Sequence, residues 1–256
     1  MYRSESIDNL ATTTSIGLLA YTSADVAHHV FGHAAACLLL GGQVSLLTSQ
    51  IVRCTVTGSA VDLAGPLASP TLGLAALFAT RLARASSPAI QLLLILVAAF
   101  NLFWFNLQLL YNAASRKDDW AWALHKVHVP SAGRYSLIVL GALGYFFTVR
   151  VIARCLKSYA IPQARASTIC FTLWFAAGIL VCVTAVFDHD QGRTLRGAIP
   201  QAIVLSIGLL FVPKRAYRLS EAGSGTAFVD FSPIWVSAAL LASASAICLL
   251  GPGISN

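Results

Sequence analysis

Residues 88–112 carry no charged side chain, and further apolar stretches lie on both sides of them. A segment of that length and character is what a helix needs to cross the hydrocarbon core of a bilayer. The rest of the chain follows suit. Only 11% of its 256 residues are charged, whereas a soluble domain carries about 25%, and its mean hydropathy is +0.74. So few charges cannot clothe a solvated surface. An ordinary soluble enzyme, a disordered chain and a coiled coil are therefore excluded. The fold class that follows is an all-α polytopic membrane protein of about six to seven transmembrane helices. Residues 1–256 then form a single membrane domain.

The net charge of +7 comes from Lys and Arg placed singly or in short groups at the ends of apolar runs. That pattern implies contact with lipid headgroups and no nucleic-acid partner. With seven spans, Arg3, Arg81, Arg84, Arg150, Arg154, Lys157, Arg165, Lys214, Arg215 and Arg218 fall on one side. Arg53, Arg116, Lys117, Lys126, Arg134, Arg193 and Arg196 fall on the other. The positive-inside rule makes the first side cytoplasmic, in an integral membrane protein of the bacterial inner (cytoplasmic) membrane. Cys37, Cys54, Cys155, Cys170, Cys182 and Cys248 show no CxxC spacing. Most sit in apolar stretches, so they read as small hydrophobes, with no disulfide framework and no Cys-based zinc site. The segment MYRSESIDNL has no basic region leading into an apolar core and does not read as a cleaved signal peptide.

Along the chain, Ser23 is the expected N-cap of a helix over 24–40, which Gly41-Gly42 ends. Residues 10–21 read as an interfacial helix or the outer part of this span. Residues 43–63 are rich in β-branched and polar types and predict a small β-hairpin after this His-bearing helix. Further spans are expected at 65–84, 88–112, 135–153, 168–187, 198–212 and 233–250. Asn101, Gln108 and Asn112 share one helical face, which should look into the bundle. Asp118 and Asp119 open a short helix.

Ionisable side chains inside a span are expensive and point to function. DVAHHVFGH places one Asp and three His in nine residues. On an α-helix His29 and His33 share a face, Asp25 lies one turn before His29, and His28 points to the flank. Two His at that spacing can bind one metal ion. Gly32 leaves room for a close approach. His125 and His128 on the next short helix read as exposed residues of an amphipathic surface helix. Asp188-His189-Asp190 reads as a solvated loop, and Arg150, Arg154 and Lys157 as a basic face at the headgroups.

HVFGHAAACLLLGGQV resembles the first motif of the site-2-protease-like intramembrane zinc metalloproteases. There HExxH is followed by small residues and a Gly-Gly or similar turn into a hairpin. Ala64-Gly65-Pro66-Leu67-Ala68-Ser69 is similar to the start of that family's next span. FNLFWFNLQLLYNAASRKDDWA is similar to its Asn-containing span and the Asp that supplies the third zinc ligand. The resemblance covers residues 22–125 as a metalloprotease-like core, with 134–256 as accessory transmembrane helices. It implies a zinc ion held by His29, His33 and Asp119, with Asp118 as the other choice of carboxylate. Asp25, His28, Asn101 and Asp118 would stand around the ligands.

The departure is Val30, which occupies the place of the HExxH glutamate. That glutamate moves protons between water and the leaving amine, and valine cannot. The resemblance therefore implies a pseudoprotease that keeps a His/His/Asp metal site, with no catalytic residue at Val30. Its partners would be transmembrane clients or the subunits of a complex it scaffolds. Two alternatives remain at this point: an active metalloprotease with an altered proton shuttle, in which His28 or Asp25 substitutes, and a haem- or metal-binding subunit of a membrane complex.

Overall fold

The computed structural model describes residues 8–158, 163–188, 194–195, 206–217 and 228–255. The first helix runs without a break from Leu10 to Leu39 in three parts. These are α1 (Leu10–Val26), a π-helical segment (Ala27–Ala34) and α2 (Ala35–Leu39). Two strands follow, β1 (Val44–Leu47) and β2 (Val52–Cys54). Next come α3 (Ser59–Leu82), α4 (Pro88–Ser115), α5 (Asp118–Lys126), α6 (Ser131–Ser158) and α7 (Gln163–Val186). After these stand α8 (Gly208–Tyr217), α9 (Pro233–Ser245) with a π-helical extension (Ala246–Leu250), and β3 (Ile254–Ser255). Among the described residues, five helices are long and apolar enough to cross a membrane. The protein is an all-α polytopic membrane protein with a small antiparallel sheet.

The first helix begins earlier than its sequence suggests. Asn9, not Ser23, caps it, its Oδ1 accepting from Thr12 N at 3.0 Å. Ser23 lies inside the helix and donates to the Ala20 carbonyl at 2.7 Å. Polar Thr12, Thr13 and Ser15 are buried against neighbouring helices, so the Thr-rich stretch is part of the bundle. Helix α3 likewise starts at Ser59, which places Pro66 and Pro70 inside it. The expected span at 198–212 lies largely outside the described residues.

The uncharged run became the central helix. In α4, 67% of the most apolar window is buried, against 22% in α6 and 17% in α9. It packs against α1, α3, α5 and α6, and Leu92, Leu96, Phe103 and Asn101 are fully enclosed. The outer helices turn large apolar side chains outward, among them Leu140, Leu143, Phe146 and Phe147 on α6 and Leu240 and Leu241 on α9. Such residues suit lipid contact.

The two ends of the bundle differ. At one, Asn9 N donates to the Val229 carbonyl at 2.8 Å, Ser232 N donates to Thr12 Oγ1, and Arg165 pairs with Asp8. At the other lies the sheet, in the order β2-β1-β3. The expected hairpin is there, with Val44 opposite Cys54 and Leu47 opposite Val52. The two residues of β3 add a third strand to it.

One expectation is overturned. Cys37 and Cys54 form a disulfide, their Cα atoms 5.8 Å apart. Gly41, at φ +78°, turns the chain sharply after α2 and folds the hairpin back beside the helix end. Two cysteines with no spacing motif are thereby brought within bonding reach. Cys155, Cys170, Cys182 and Cys248 remain free thiols.

Candidate metal centre

The site is built on the π-helical segment. The Ala35 N–H reaches back to the Val30 carbonyl, five residues earlier, as a π-helix requires. In a regular α-helix residues five apart stand about 140° from alignment. The wider turn brings them toward one face, so His28, not His29, joins His33. The ring centroids of His28 and His33 are 4.8 Å apart, and those of His29 and His33 are 6.3 Å apart.

Asp119 completes the group. Its Oδ2 lies 3.1 Å from His28 Nε2 and 3.3 Å from His33 Nε2, and the two Nε2 atoms are 3.2 Å apart. All three residues are buried. Ligands about 2.0–2.1 Å from a tetrahedral ion are necessarily about 3.3 Å from one another. The three observed edges match that spacing, so the group can hold a metal ion with one further position free.

Each donor is oriented from behind. His33 Nδ1 donates to the Val61 carbonyl at 2.7 Å, which aims its Nε2 toward the centre. His28 Nδ1 faces Ser69 Oγ at 3.4 Å, and the ring stacks on Trp104 with centroids 5.1 Å apart. Gln108 Nε2 donates to Asp119 Oδ2 at 3.2 Å. Outer partners of this kind fix the tautomer and direction of metal ligands. Burial pushes the Asp119 carboxyl up, but the hydrogen bonds from His28 and His33 outweigh it and hold the group below the usual carboxylate range. Burial and then the neighbouring Asp119 charge push the Asp118 carboxyl up to about 7.

The helices meet closely here. A Cβ on Gly32 would strike the Gly65 backbone, and one on Gly65 would strike the His33 imidazole. Glycine at both positions lets α3 pass directly over the π-helical segment.

His29 takes a different role. Its Nδ1 lies 3.1 Å from Asp25 Oδ1 and 3.2 Å from the Asp25 carbonyl, and the residue lines the same cavity as the three candidate ligands. That cavity encloses about 380 Å³ and is bounded also by Gln50, Ile51 and Val52 of the hairpin, by Tyr111, and by Lys117 and Asp118. Asp118 thus faces the cavity without joining the ligand group. Asn101 is buried but donates within its own helix to the Val97 carbonyl at 2.8 Å, and it does not reach the site. Its helix-mate Gln108 does. His125 and His128 are exposed and stand apart from the group. Of Asp188-His189-Asp190, only Asp188 is among the described residues.

The chain matches no protein-family model, no curated protein and no solved structure.

Proposed function

We propose that the protein is a zinc-dependent intramembrane hydrolase resembling the site-2-protease-like class, set in a bacterial cytoplasmic membrane and acting on a membrane-embedded polypeptide. The triangle of His28, His33 and Asp119 donor atoms carries the reading. Two imidazoles and one carboxylate are a donor set that suits zinc. The cavity beside them leaves the fourth position for water or a substrate carbonyl. Zinc bound there would supply Lewis acidity and lower the pKa of a coordinated water. The protein's own residues would bind the ion and orient both rings through Val61 and Ser69.

Proton transfer separates this reading from that of an inactive relative. With His28 as the first ligand, the residue that follows it is His29. This is the chain relation that HExxH gives its glutamate. Asp25 occupies the Nδ1 side of the His29 ring, so Nε2 is the atom that can hold or release a proton on the cavity side. Val30 no longer occupies the decisive position.

The test is zinc content together with cleavage of a transmembrane substrate. Wild type should bind one zinc, while His28→Ala, His33→Ala and Asp119→Ala should each lose it. His29→Gln should keep zinc and lose cleavage by 10²- to 10⁴-fold, the usual range for a proton-transfer group. A wild type that binds zinc and does not cleave, with cleavage appearing in Val30→Glu, would support the pseudoprotease instead. A wild type without zinc would remove both.

A further inference from the structure

The bundle end away from the sheet carries a cationic cluster that the metal site does not use. Arg150 and Arg154 lie one turn apart on α6, and Arg215 on α8 is within electrostatic reach of Arg150, as is Arg154. The two helices are joined one to two turns earlier, where Gly208 N donates to Tyr145 Oη at 2.7 Å. They run side by side in the same direction and deliver their arginines to one place. Among the described residues no carboxylate pairs with any of the three. Arg215 Nε is buried and has no hydrogen-bond partner. A buried guanidinium N–H left unpaired beside two like charges is a donor set awaiting an anion.

What lies on the membrane side of the cluster indicates the anion's source. One turn before Arg150 stands Phe146, 51% exposed, with the Arg150 guanidinium 3.5 Å above its ring centroid. One turn before Arg215 stands Phe211, 55% exposed. Phe147 beside them is exposed as well. Arg150 and Arg215 are therefore each preceded, toward the bilayer centre, by an aromatic side chain open to lipid. A free phosphate needs only the charges. A phospholipid needs both the charges and an apolar track for its chains, set in that vertical order.

We propose that Arg150, Arg154 and Arg215 form a binding site for the phosphate of an anionic phospholipid, whose acyl chains lie along Phe146 and Phe211. The site is independent of the metal centre and holds whether or not the protein is a hydrolase.

The experiment compares thermal unfolding of the purified full-length protein with phosphatidylglycerol, with phosphatidylcholine, or with inorganic phosphate added. Phosphatidylglycerol should raise the midpoint by several degrees more than phosphatidylcholine, and inorganic phosphate should give no rise. The Arg150→Gln/Arg154→Gln/Arg215→Gln triple variant should lose the difference between the two lipids. The corresponding triple Lys variant should keep part of it, because the charges remain. Arg116→Gln, at the opposite end, should keep all of it. Protection of the buried free thiol Cys170 from thiol reagents reports whether the Gln variant is folded. If that variant does not fold, the lipid difference in wild type and its partial loss in the Lys variant decide. Equal effects of the two lipids on wild type, a full difference in the Gln triple, or an inorganic-phosphate effect as large as that of phosphatidylglycerol would overturn the proposal.

Discussion

At Gly65 a single added methyl would meet the His33 imidazole. The ring cannot retreat without breaking its 2.7 Å bond to the Val61 carbonyl. Overpacking of this kind typically costs about 1–3 kcal/mol, and here the strain falls on one of the proposed metal ligands. Gly65→Ala should therefore fold and lose zinc affinity by at least about 10-fold. Gly73→Ala, in the same helix, meets only the side chains of Leu102 and Asn101 and should keep zinc. Metal titration of the two variants checks this, and wild-type affinity in Gly65→Ala would show that the ring is not held as described. Gln108→Leu removes the amide that steadies Asp119 and should weaken zinc binding about 10- to 100-fold. Sequence reasoning placed Gln108 on an inward face yet preferred Asn101 as the neighbour of the site. Both are buried polar residues on one stripe of α4. Only the height at which α5 crosses that stripe selects between them, and no local pattern encodes that height.

The π-helical segment is the element on which the ligand set turns. Periodicity arguments assume about 100° per residue, which pairs His29 with His33 and leaves His28 on the flank. Nothing in AHHVFGHA marks a wider turn. The segment accommodates one residue more than an α-helix would between flanks whose faces are both fixed by packing: Ala20 and Ala24 in the core before it, Cys37 in the disulfide after it. Such insertions occur often at functional sites. Deletion of Val30 should therefore return the segment to α-helix while both flanks keep their contacts. His28 and the former His33 would then stand four apart, as a metal pair requires. We expect this variant to bind zinc with wild-type stoichiometry, whereas deletion of Ala20, inside regular helix, should rotate one flank by about 100° and abolish binding. Zinc stoichiometry of the two deletion variants distinguishes them. Loss of zinc on deleting Val30 would mean that the extra residue itself shapes the site. The hairpin was legible from its β-branched composition. The two-residue β3 was not, because its pairing depends on where α9 delivers the chain end.

Over the whole molecule, the apolar runs made the spans readable, and the scarcity of charge made the inward Asp and His stand out. The disulfide was hidden, because helix α2 and strand β2 meet only in three dimensions. It now bears on orientation. A disulfide persists in an oxidising compartment and is rare in a reducing one, so Cys37–Cys54 predicts a non-cytoplasmic side for the sheet end. Basic residues give an independent indication. Arg81, Arg150, Arg154, Lys157, Arg165, Lys214 and Arg215 lie at or near the far end of the bundle. Arg53, Arg116, Lys117, Lys126 and Arg134 lie toward the sheet. Among the described residues the excess lies on the far end, which the positive-inside rule would make cytoplasmic. Both indications give the same orientation, and Gln50, Ile51, Val52 and Lys117 at the cavity then admit solvent from the oxidising side. In intact cells, a membrane-impermeant maleimide should label Thr57→Cys, exposed beside the hairpin. It should label Lys157→Cys, exposed at the other end, only after the membrane is opened. Cys37 and Cys54 should become reactive only after a thiol reductant, and the hairpin they anchor should then loosen. In the chain-entropy picture, a bridge closing a loop of this size contributes about 3 kcal/mol. Cys37→Ser/Cys54→Ser should therefore lower the unfolding midpoint of the zinc-free protein measurably. The reverse labelling pattern would put the disulfide in the reducing compartment and overturn the orientation.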